Sequence, residues 1–115
     1  RFKYQPYLSE KSLEEDLKIG MSRCDGIVVT GTGTGMETDL DKIKEFRAII
    51  GDDFPLVVGA GLTAENCDTQ LAIADAAIIG SYLKDNYKDY GNVSVEHVKH
   101  FMGELEKCRE KEKCK

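Results

Sequence analysis

The sequence has no tryptophan, two prolines, and four cysteines with no C-x-x-C pair among them. Without that spacing neither a zinc site nor a redox dithiol is read, and Cys24, Cys67, Cys108 and Cys114 are expected as free thiols. Free thiols fit a reducing compartment, cytoplasmic or organellar. No apolar run approaches the roughly 18–20 residues of a membrane span, and the first residues lack the charged-then-apolar layout of a secretion signal. Positive charge is also scarce: 16 basic residues against 21 acidic ones give a net charge of −5. No Lys/Arg stripe lies outside the last twelve residues, and phosphate backbones need clustered cations, so no nucleic-acid partner is expected. The chain opens at Arg1 rather than Met, which reads as a processed or partial sequence.

What is present is the material of one soluble globular domain: 115 residues, 41% hydrophobic and 32% charged. Three short apolar runs stand out, DGIVVT at Asp25–Thr30, PLVVGA at Pro55–Ala60 and AAIIGS at Ala76–Ser81. Their near-continuous apolarity predicts strands of a parallel sheet, buried on both faces. Between them lie amphipathic segments. One follows Ser12, with Leu13, Leu17, Met21 and Cys24 in helical phase and Glu15 completing a capping-box signature. A second follows Asp39 as N-cap, with Leu40, Ile43, Phe46 and Ile50, and stops at Gly51. A third begins after Thr63. The last follows Ser94 and sets Val95, Val98, Phe101, Met102 and Leu105 on one stripe. Helix and strand alternate, which defines an α/β chain of βα units.

Each strand runs into glycine or a small polar residue, and parallel α/β proteins place their sites beyond the carboxyl ends of strands. Gly59 and Gly61 permit close backbone approach, and Thr63 is expected to cap a helix whose first N–H groups point at the same spot. Gly80 and Ser81, one unit later, add two backbone donors and a hydroxyl. Together the two loops suggest a phosphate or carboxylate site, although strand-end glycines also make plain tight turns. Thr30 and Gly31 open the run TGTGTG, which lacks both the third glycine of a dinucleotide fingerprint and the G-K-[ST] of a P-loop. It is read as a ligand-covering loop or a simple connector. Tyr82 is placed on the pocket wall with the other four tyrosines near the same face, and Lys84 is a candidate to neutralise an anion. His97 and His100 are three apart but have no carboxylate or cysteine placed with them, so no metal is assigned. No Ser/His/Asp set or supported carboxylate pair is legible, so no catalytic residue, cofactor or reaction is assigned.

The segments DGIVVTGTGTGMETDLDKIKEFR, PLVVGAGLTAEN, ADAAIIGSYLK and VSVEHVKHFM, in that order, resemble the C-terminal half of the BtpA/SgcQ family. The opening FKYQPY resembles the exit of that family's fifth strand, with Tyr4 where the family pattern has histidine. The likeness covers residues 2–106. It implies a TIM-type (βα)8 barrel whose strands five to eight occupy residues 1–106, followed by a charged tail at 107–115. A closed barrel takes ~250 residues, so the chain is expected to be half of one, completed by missing sequence or by a second copy. A small flavodoxin-like parallel sheet is the alternative. The resemblance further implies a small anionic or phosphorylated metabolite at Gly59–Gly61 and Gly80–Ser81. Photosynthetic members are implicated in photosystem I biogenesis, which implies instead a non-catalytic assembly or stability factor with a protein-complex partner.

Overall fold

The computed structural model describes residues 10–31 and 37–113. Seven elements and one 3-10 turn follow in order: α1 (Leu13–Met21), β1 (Ile27–Val29), α2 (Leu40–Ile50), β2 (Leu56–Val58), α3 (Cys67–Leu71), β3 (Ala76–Ala77), the turn Ser81–Leu83 and α4 (Val95–Lys113). The strands form one parallel sheet in the order β1-β2-β3, with Val28 opposite Val57 and Val57 opposite Ala76. Among the described residues no helix is long and apolar enough to cross a membrane. The segment FKYQPY, with Tyr4 and Tyr7, and residues 32–36 of the Thr/Gly run lie outside the described residues.

Two helix starts follow the sequence signals. Ser12 Oγ accepts the Glu15 N–H at 3.2 Å, and Asp39 Oδ1 accepts the Asp41 N–H at 3.0 Å. Each bond satisfies a donor that the helix itself leaves unpaired. Gly51 ends α2 at φ 83°, a backbone conformation that other residues adopt only with strain. The α2 face carrying Ile43, Phe46 and Ile50 packs with Leu17 of α1 onto Val29, Leu56 and Val58 of the sheet. Burying one such aliphatic side chain contributes about 1.5–3 kcal/mol. Arg47, on the same helix, gathers the opposite end of the sheet: its guanidinium donates to the carbonyls of Ile73, Gly51 and Phe54 and to Asp75 Oδ2.

The strands are shorter than the apolar runs, and they are not buried on both faces. Strand side chains alternate in direction. Those of Val29, Leu56 and Val58 meet helices, whereas Val28 is 48% exposed and Ile78 57% exposed. All four helices cover the same face of the sheet, and nothing among the described residues covers the other. A continuous apolar run therefore marked strands with two apolar faces, of which the described residues cover one.

Two further expectations are corrected. Helix α3 starts at Cys67 rather than after Thr63, because Thr63 and Asn66 hold each other in a turn: the Asn66 side chain accepts the Thr63 N–H at 2.7 Å, and Thr63 Oγ1 accepts the Asn66 N–H at 3.2 Å. The buried stripe of α4 is rotated from the expected one. Phe101 is fully buried and Val98, Leu105 and Cys108 are half-buried, but Val95 and Met102 are exposed and His97 faces inward. The charged end of the chain, expected on the solvated end of the last helix, continues α4 to Lys113, and it carries Cys108 onto α3, where its sulfur lies 3.5 Å from that of Cys67.

Candidate functional site

A cavity of about 390 Å³ opens beyond the carboxyl ends of β2 and β3. Gly59, Gly61, Thr63, Gly80, Ser81 and Tyr82 all line it, joined by Ile78, Tyr87 and Asp89. Two glycines have local reasons, one in the backbone and one in neighbouring side chains. Gly61 turns the chain at φ 74°, and a Cβ on Gly59 would lie 2.6 Å from Val28 Cγ1 and 2.9 Å from Thr30 Cγ2. Gly80 is different, since open space surrounds the position its Cβ would take.

The donors differ from those expected of a helix start. The N–H groups of Thr63 and Asn66 are taken by each other's side chains. Helix α3, five residues long, has too few aligned peptides to carry the dipole argument. The donors that remain are on the loops: among the described residues, no protein acceptor takes the N–H of Gly61, Gly80 or Ser81. The Ser81 hydroxyl donates to Asp89 Oδ1 at 2.8 Å, which leaves the oxygen's lone pairs as acceptors.

Three expected residues lie off this wall. Thr30 and Gly31 stand beyond β1, where the Thr30 carbonyl accepts Lys42 Nζ at 2.6 Å. Lys84 does not face the cavity; its ammonium donates to the Asp89 carbonyl at 2.7 Å. No cationic side chain lines the cavity among the described residues, and the charge that does line it is the carboxylate of Asp89. Asp89 was not legible as a site residue, because it sits in a polar loop among Asp85, Asn86 and Lys88 with nothing to single it out.

The aromatic wall is held from α4. Tyr82 packs edge-on against Phe101, ring centroids 6.0 Å apart. Burial, followed by the nearby Glu65 and Tyr87, pushes its phenol above the ordinary tyrosine range. Tyr87 adopts φ 57° and stacks on His97 at 4.5 Å with the planes 13° apart. The His97 Nδ1 lies 2.7 Å from the Lys84 carbonyl, which can only accept, so this nitrogen carries hydrogen. His97 therefore braces the loop as a wall support. Tyr90 is 79% exposed and takes no part in the wall. The cavity offers loop N–H donors, hydroxyls and one carboxylate, which suits a polar ligand of metabolite size.

Parallel βα units with a cavity beyond the strand ends place the chain in the broad class of parallel α/β proteins. Within it, the chain belongs to the BtpA family, whose model matches residues 2–107. An uncharacterised protein of Methanocaldococcus jannaschii is 27% identical over 87% of this chain and 37% of its own length. Another, from Pyrococcus furiosus, is 31% identical over 78% of this chain and 33% of its own length. An uncharacterised mitochondrial protein of Caenorhabditis elegans is 30% identical over 78% of this chain and 34% of its own. The chain thus spans about a third of the length of the curated relatives it matches. No solved structure matches it.

Proposed function

We propose that the chain forms part of a (βα)8 barrel whose strand-end cavity binds a small metabolite carrying an anionic group, phosphate or carboxylate, together with hydroxyls. The observation that carries this reading is the convergence of Gly59–Gly61 and Gly80–Ser81 on one cavity of about 390 Å³. The anion falls to the N–H groups of Gly61, Gly80 and Ser81, and the ligand hydroxyls to Asp89 and the Ser81 oxygen. Asp89 disfavours an anion at its own position, so it sorts the two ends of the ligand. The one-sided helix cover supports the barrel over the flavodoxin-like alternative, since a doubly wound sheet carries helices on both faces. In a barrel the apolar face with Val28 and Ile78 turns inward and is covered by the other strands.

Thermal-shift measurement with inorganic phosphate, a sugar phosphate and the same sugar unphosphorylated tests the site. Stabilisation is expected to rank sugar phosphate first and to disappear in Gly80→Asp, whose side chain has open space to occupy. A chain that responds to none of the three, or whose response survives in Gly80→Asp, does not bind as stated.

One observation favours a second reading, a scaffold that docks a protein partner or a further copy of itself and catalyses nothing. Val28, 48% exposed, and Ile78, 57% exposed, lie on a sheet face that nothing among the described residues covers. Exposed apolar faces of this kind mark association surfaces. Sedimentation of the wild type and of Val28→Glu separates the cases: assembly lost in the variant supports association through this face, and a monomeric wild type removes it.

A further inference from the structure

The α3–α4 junction holds two thiols that the sequence keeps 41 residues apart. Cys67 Sγ and Cys108 Sγ are 3.5 Å apart, Cys67 buried and Cys108 half-buried. A second cavity, of about 330 Å³, is lined by both cysteines together with Asp68, His100, Glu104 and Lys107. Small polar oxidants therefore have a route to the pair. We propose that Cys67 and Cys108 form a site of oxidative cross-linking, with hydrogen peroxide as its co-reactant. Bond formation at about 2.0 Å asks the sulfurs to close by about 1.5 Å from their contact distance, within the reach of side-chain torsions.

Exposure orders the steps. Cys108 reacts first: its sulfur attacks one peroxide oxygen, the O–O bond breaks, and the departing hydroxide takes the thiol proton as water, leaving a sulfenic acid. The Cys67 sulfur then attacks the sulfenic sulfur. The S–O bond breaks, and the departing hydroxide takes the Cys67 proton as the second water. Two thiols and one peroxide thus give one disulfide and two waters. Burial, and then the hydrogen bond with Cys108, push the Cys67 thiol up to about 12, which keeps it protonated and slow toward peroxide; what makes it the resolving thiol is its sulfur 3.5 Å from that of Cys108, beside the hydroxide that leaves and takes its proton. The product ties α3 to α4. Because Cys67 directly follows the Thr63–Asn66 turn, the tie also fixes that side of the strand-end cavity.

Peptide mapping without reductant tests the proposal on the 115-residue chain, treated with peroxide under native conditions and then blocked with N-ethylmaleimide. The expected product is one cross-linked peptide pair holding Cys67 and Cys108, in a chain lighter by two hydrogen atoms and unfolding at a higher temperature. In Cys67→Ser, Cys108 is expected to accumulate as a sulfenic acid that dimedone captures. In Cys108→Ser, Cys67 is expected to remain reduced. Comparable yields of Cys67 bridged to Cys24 or Cys114 would overturn the assignment. So would a Cys67 that can still be alkylated on unfolding after Cys108 has been consumed.

Discussion

Arg47 Nη2 meets Asp75 Oδ2 at 2.7 Å, and the same carboxylate oxygen accepts the Leu56 N–H at 3.0 Å. One carboxylate therefore joins α2 to the entry of β2 and to the start of β3, on the sheet end opposite the cavity. The exposed side of the pair is Asp75; Arg47 is nearly enclosed, at 13% side-chain exposure against 51%. A surface ion pair contributes little by itself. Most of the stabilisation lies in the backbone carbonyls of Ile73, Gly51 and Phe54 that Arg47 also satisfies.

Arg47→Ala is expected to destabilise the chain by about 2–4 kcal/mol, since it leaves partly buried carbonyls without a donor. Arg47→Lys should recover only part of this, because an ammonium cannot span carbonyls that the planar guanidinium reaches together. Urea unfolding of the three proteins checks the order. A lysine variant as stable as wild type would show that the fork geometry is dispensable.

Asp75 also gives the fold an acid edge. The Arg47 hydrogen bond, followed by that from Leu56 N–H, holds its carboxyl below the ordinary value of 3.8. A carboxyl lowered on folding contributes stability that is fully present above its unfolded value and is lost as pH falls through its folded one. The contribution is therefore complete at neutral pH and declines below about pH 4–5. In Asp75→Asn the extra loss of stability between neutral pH and the acid range should be smaller than in wild type, as read from unfolding midpoints at matched ionic strength. Parallel pH profiles for the two proteins would remove Asp75 as the source.

The sequence announced the local parts of this fold better than its long-range ones. Ser12, Asp39 and Gly51 signalled helix ends because capping is decided within a few residues. The strand-end glycines signalled a shared cavity because parallel βα units bring successive loops to one edge. Arg47, Asp89 and the Cys67–Cys108 contact were silent for the opposite reason. Arg47 acts 26 residues away on Ile73, and Asp89 matters only because a loop folds it onto Ser81. Helix α3 was misplaced because Asn66, an ordinary polar residue in sequence, pairs reciprocally with Thr63. The one-sided burial of the sheet was hidden because a valine reads the same whether helices or further strands are to cover it.

Two of the site glycines should respond to alanine in opposite ways. Gly59→Ala forces a methyl to within 2.6 Å of Val28 Cγ1 and 2.9 Å of Thr30 Cγ2, and overpacking of this kind costs about 1–3 kcal/mol. Gly80→Ala meets open space, so its stability should stay within about 0.5 kcal/mol of wild type. Thermal unfolding distinguishes the two. A Gly59→Ala protein as stable as wild type would mean that β1 and β2 yield easily at their carboxyl ends, and that the cavity rim is softer than its geometry.

Asp89→Asn bears most directly on the ligand. The amide keeps an oxygen to accept the Ser81 hydroxyl, so the loop should retain its shape while the wall loses its one negative charge. Removing a like charge several ångströms from a bound anion relieves about 1 kcal/mol of repulsion, roughly a fivefold gain in affinity. Inorganic phosphate should accordingly bind more tightly to the variant, with the gain shrinking as salt is raised. The sugar phosphate should gain less, or lose, because its hydroxyls exchange a carboxylate acceptor for a neutral amide. The preference for sugar phosphate over phosphate is thus expected to narrow, and titration calorimetry with both ligands measures it. An unchanged preference would separate Asp89 from hydroxyl recognition, and weaker binding of phosphate itself would show that the anion does not rest on the glycine loops beside it.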